Sequence, residues 1–152
     1  MSRPQPDTQA KTTVFLLGVA TVVAQALLLR EAMAAMGGSE IAWGVVMALW
    51  LVGMGLGARI GVTVGSPSLS GYLPVGVIAL AGSGVVILRA APALLGATAG
   101  EALTTASAAW LWAVAIVPAA FTGGLAFPIL AHRLGENGAG RAYSLEAAGA
   151  LA

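Results

Sequence analysis

Between Ala106 and Ala131 the chain runs for 26 residues without a single charged side chain. As a helix rising 1.5 Å per residue this stretch would reach about 39 Å, more than the roughly 30 Å hydrocarbon core of a bilayer. Three further uncharged runs precede it, Thr13–Leu29, Ile41–Ala58 and Tyr72–Leu88. In lipid no water is present to satisfy peptide N–H and C=O groups, so a run of this kind must bond internally as a helix. Composition agrees: 59% of the 152 residues are apolar and 9% are charged, against about 25% charged in an ordinary soluble domain. The expected architecture is all-α, a polytopic transmembrane helix bundle with four spans plus the start of a fifth. The spans fall at about 13–36, 41–64, 72–95 and 106–131, with a partial one at 141–152.

Residues 1–12, MSRPQPDTQAKT, read as a polar leader outside the core. Ala24-Gln25-Ala26 and Ala32-Met33-Ala34 imitate signal-peptide cleavage sites, but the apolar run is longer than the 7 to 15 residues such a peptide uses, which favours a retained helix. Ser39 and Glu40 are placed to cap the second span and to match its dipole. Pro118 and Pro128 predict kinks in the fourth. After the turn GENGAG, the 12 residues from Arg141 to Ala152 reach only about 18 Å. The expectation is of a fifth span that continues past residue 152; the alternative is a short interfacial helix closing a four-helix protein. Basic residues orient the bundle. With the N-terminus inside, Arg3, Lys11, Arg59, Arg133 and Arg141 face the cytoplasm, whereas only Arg30 and Arg89 lie outside. Trp43, Tyr72 and Tyr143 fall where an aromatic belt belongs, while Trp50 falls in mid-span and should pack between helices.

Several classes of function are excluded. There is no Cys, hence no disulfide, thiolate nucleophile or cysteine-held metal, and one His leaves little imidazole chemistry. A net charge of +1 provides no footprint for nucleic acid. Neither a phosphate-binding lysine loop, a nucleophile elbow nor a zinc-protease motif occurs. No catalytic residue, metal site or cofactor is expected in this stretch. The polar groups to watch are Gln25, Arg30, Glu31 and Glu146, because polar side chains within a membrane are costly unless partnered. Arg30 and Glu31 are neighbours in sequence and project about 100° apart on a helix, so their partners must come from other helices. These residues are candidates for a polar site between helices, with helix clamping by Gln25 and snorkelling by Arg30 as the plainer reading.

Gly53, Gly57 and Gly61 repeat every four residues, a stripe along which another helix can approach closely. Gly53, Gly55 and Ala58 also satisfy a dinucleotide-binding fingerprint, but that motif needs a preceding strand and a phosphate-facing helix start, and here it lies inside an uncharged span. Pro118, Gly123, Gly124 and Pro128 mark the fourth span as a hinge or a packing surface, and a helix broken there would fit a transporter site.

Taken in order, Gln25-Ala-Leu-Leu-Leu-Arg30-Glu31, Gly38-Ser39-Glu40, the glycines from Gly53 to Gly61, Pro118, Gly123-Gly124 through Phe127-Pro128, and Gly140-Arg141-Ala-Tyr143-Ser-Leu-Glu146-Ala-Ala-Gly149 resemble the membrane-embedded N-terminal region of bacterial spermidine synthase-like proteins. The likeness covers nearly the whole chain after the leader, through motifs made mostly of small and apolar residues. It implies a multi-pass protein of the bacterial cytoplasmic membrane whose helices anchor a C-terminal soluble aminopropyltransferase-type domain. That domain would transfer an aminopropyl group from decarboxylated S-adenosylmethionine to a diamine, and the membrane part could contribute a polyamine or cation site. Its nucleotide loop and catalytic acids have no counterpart in residues 1–152, so no catalytic residue carries over. Two other functions stay open: a small-solute transporter, and a scaffold subunit docking on a larger complex. The glycine-rich faces also leave room for a homo-oligomer.

Overall fold

The computed structural model describes residues 8–35, 40–64, 70–96 and 105–152. Five α-helices occupy them: α1 (Thr8–Ala35), α2 (Glu40–Val64), α3 (Leu73–Leu94), α4 (Thr105–Arg133) and α5 (Gly138–Ala150). No strand occurs among the described residues. α1 to α4 are each long and apolar enough to cross a membrane. The chain is therefore a multi-pass helical bundle, as the uncharged runs require.

Inside and outside are divided by size rather than by polarity. The buried set is dominated by alanine and glycine, with Trp112, Leu17, Leu28, Leu88, Ile116 and Leu130 as its large members. Large aliphatic side chains point outward instead: Val62 is 74% exposed and Leu51 is 68%. A soluble protein would bury these groups, since each exposed leucine or valine forgoes about 1.5–3 kcal/mol of transfer free energy in water. In lipid that force vanishes and close packing of small residues takes over.

α4 is the axis of the bundle and packs against all four other helices, most extensively against α2 and then α3. α1 lies on α3 and α5, and its contact with α2, its neighbour in sequence, is slight. Gly123 sits at the centre, where a Cβ would come within 3.0 Å of Thr21 Cγ2 on α1, 3.3 Å of Met54 Sδ on α2 and 4.0 Å of Val77 Cγ2 on α3.

Two boundaries differ from those expected. The leader is shorter, for α1 already begins at Thr8, and Ala10 is buried. Threonine made this possible: the Thr12 hydroxyl donates to the Thr8 carbonyl (3.1 Å) and Thr13 to that of Gln9 (2.8 Å), so both satisfy themselves within the helix. α5 begins at Gly138, inside the expected turn, because a left-handed Asn137 (φ 58°) reverses the chain and Gly138 lies against the Ala131 carbonyl where no Cβ would fit. The fourth helix is not broken: Pro118 and Pro128 both lie within α4, which is helical throughout. Ser39, proposed as a cap, lies outside the described residues, whereas Glu40 occupies the first turn of α2.

Trp50 is buried between helices, while Trp43, Tyr72 and Tyr143 are exposed, each as expected of its position.

Candidate functional site

The α2 stripe finds its partner in α4. A Cβ on Gly53 would stand 2.8 Å from Ala120 Cβ and 3.1 Å from the Val117 carbonyl; one on Gly57 would strike the Phe121 carbonyl; one on Gly61 would come within 2.5 Å of the Leu125 carbonyl and 2.6 Å of Pro128 Cγ. α4 answers with Gly124, against the backbone of Met54. The glycines and the proline singled out separately in α2 and α4 are thus parts of one seam. Pro128 acts there as a knob seated on Gly61. A second copy could use this stripe only by displacing α4, so the homo-oligomer expected through it has no free face at Gly53, Gly57 and Gly61.

The four polar candidates do not come together. Gln25, in the second half of α1, directs its Nε2 at Met47 Sδ on α2 at 3.3 Å, a weak acceptor that still ties two helices. Arg30 is exposed. Glu31 turns instead to α3, where Arg89 donates through Nε to Oε2 (3.0 Å) and through Nη2 to Oε1 (2.8 Å). This fork-to-fork pair is the strong form of a carboxylate–guanidinium contact. The Glu31 side chain is 14% exposed and that of Arg89 68%. In the sequence Arg89 bears only on orientation. Its role was legible in one respect: in a four-span alternation the ends of α1 and α3 lie on one side, so an acid and a base there are within reach of each other.

Glu146 lies far from Glu31. Its backbone packs against Gly18 of α1, 13 residues or about 20 Å of helix away from Glu31. Gly149 completes this crossing against the Phe15 carbonyl. The Glu146 region is therefore a packing contact of α5 on α1.

Chemically, then, the arrangement clamps helices. Thr21 and Thr122 spend their hydroxyls on carbonyls of their own helices, Leu17 (2.9 Å) and Pro118 (2.9 Å) respectively. The Trp112 indole N–H, fully buried in α4, has no hydrogen-bond partner. Among the described residues no group of three or more His, Asp or Glu side chains could hold a metal ion. The polar chemistry that remains is the Glu31–Arg89 tie on one side of the bundle and an open basic cavity on the other, lined by Lys11 and Arg141. Compared with known proteins, the chain matches no family model, no curated protein and no solved structure.

Proposed function

We propose that this chain is the membrane bundle of a spermidine synthase-like protein. In this reading it holds a soluble aminopropyltransferase-type domain at the cytoplasmic face of a bacterial inner membrane, with its own N-terminus on that side. One observation carries the proposal. Several of the small residues on which the resemblance rests stand where helices touch: Gly57 against Phe121, Gly124 against Met54, Gly149 against Phe15. Here their order and spacing are tied to how the helices meet, which gives the ordered likeness physical content.

The polyamine or cation site is not part of this proposal. Glu31 is held by Arg89, and Glu146 lies at another seam. The transporter reading loses support for the same reason, and the scaffold reading because α4 covers the glycine stripe.

The test is the reading frame beyond residue 152. A soluble βα segment with a glycine-rich nucleotide loop is the expected continuation, and a stop codon would end the reading. Orientation has its own test, because a chain without cysteine makes any introduced thiol unique. In intact cells a membrane-impermeant maleimide should label Glu40→Cys and leave Glu136→Cys unlabelled until the membrane is opened; the reverse pattern would invert the topology.

A further inference from the structure

Where α1 begins and α4 turns into α5, the bundle surface opens into a cavity of about 650 Å³. Its polar lining is Lys11 from the first turns of α1, Asn137 from the turn, and Arg141 and Ser144 from α5; Leu134 and Leu145 supply the apolar wall. Lys11 and Arg141 come from opposite ends of the sequence, and among the described residues neither has an acidic partner. Asn137 makes no capping bond to α5, so its amide is uncommitted. Ser144 already donates to the Gly140 carbonyl (3.0 Å) and offers no further proton. Gly140, also on the lining, has open space beyond it, so the first turn of α5 borders the cavity there without a side chain in the way. Glu136, the acid of the turn, is exposed and is not part of the lining.

Two cations with no acidic partner among the described residues, an uncommitted amide and the first turn of a helix around one opening form a receptor for a phosphate-bearing anion. We infer that this cavity binds the headgroup of an anionic phospholipid. Lipid rather than a soluble anion is favoured by position: α1 and α4 are spans, the opening lies at their shared end, and Leu134 and Leu145 continue the polar lining into the apolar flank. Basic pockets between helices at a membrane face take acidic headgroups in this way. The inference stands apart from the proposed function, since it rests on the cavity's geometry and charge and not on the family likeness.

The test is native mass spectrometry of the full chain in micelles, with phosphatidylglycerol and phosphatidylcholine at equal mole fraction. The wild type should retain phosphatidylglycerol in preference. Lys11→Gln and Arg141→Gln should each weaken that retention by about fivefold, and together by about 25-fold, as expected for a lost charge at a membrane surface. Both side chains are exposed, so the variants keep the fold, which circular dichroism checks. Arg59→Gln removes an exposed charge of α2 outside the cavity and should leave retention unchanged. An equal loss in Arg59→Gln would reduce the effect to general charge attraction and overturn the site. Displacement of the lipid by millimolar inorganic phosphate would overturn the lipid assignment, as would equal retention of both lipids.

Discussion

The α2–α4 and α1–α5 seams both rely on glycine, yet they are built differently. On α2 three glycines spaced by four residues run some 12 Å along the helix, and α4 returns a glycine of its own. The two helices lie side by side, backbone against backbone. α5 meets α1 at a single crossing, Gly18 over Glu146 and Gly149 over Phe15. A repeat therefore specifies alignment, whereas an isolated pair specifies only a point of approach. The first holds two spans together; the second fixes where a short helix rests.

Substitutions along these seams separate the two cases. Gly57→Leu should have the largest effect. Its side chain would enter the Phe121 carbonyl and the Leu125 amide, which are backbone and cannot turn aside, so a loss above about 3 kcal/mol is expected in denaturant unfolding from micelles. A variant as stable as the wild type would mean that α2 and α4 do not meet there. Gly149→Val should cost about 1–3 kcal/mol and act locally. Hydrogen exchange is expected to rise across Gly138–Ala150 while the four long helices stay protected; uniform exposure would make α5 part of the main cooperative unit.

Weaker still should be the loss in Glu31→Gln or Arg89→Gln, because Arg89 is largely exposed. The exchanged pair, Glu31→Arg with Arg89→Glu, should recover the wild-type melting temperature, and failure to recover it would assign the single-variant losses to something other than this ion pair. Gly55→Ala is expected to lie within about 0.5 kcal/mol of wild type, as nothing stands within 4 Å of the added methyl. Set beside Gly57→Ala, two residues on, it tests whether location or mere glycine content matters.

Much of this was readable from the sequence, and the limits have physical causes. The number and type of the long helices followed from runs too long and too uncharged to be anything else in lipid. The Gly53–Gly57–Gly61 stripe was legible as a close-approach surface, because four-residue spacing lines up on one helix face. Its partner was not legible: a glycine records that something comes near, and nothing about what. Pro118 and Pro128 were legible as positions where a helix loses a hydrogen bond; that the Pro128 ring also seats on Gly61, as a shape to be packed, was not. The start of α1 was misplaced because Thr8, Gln9, Lys11 and Thr12 look like a solvated tail in composition. The Thr12 and Thr13 hydroxyl bonds, which make polar residues acceptable in a helix, leave no trace in hydropathy. The Glu31–Arg89 tie joins residues 58 positions apart, and only the alternation of spans hinted that the two ends coincide.

The slight contact between α1 and α2 has a consequence for biogenesis. As the chain leaves the ribosome, the first two spans enter the bilayer with little to hold them to each other, and the α2 stripe meets only acyl chains. It gains its partner when α4 arrives, some forty residues later. Until then only α1 and α3 have each other to pack on, and α2 is joined to the bundle by the fourth insertion.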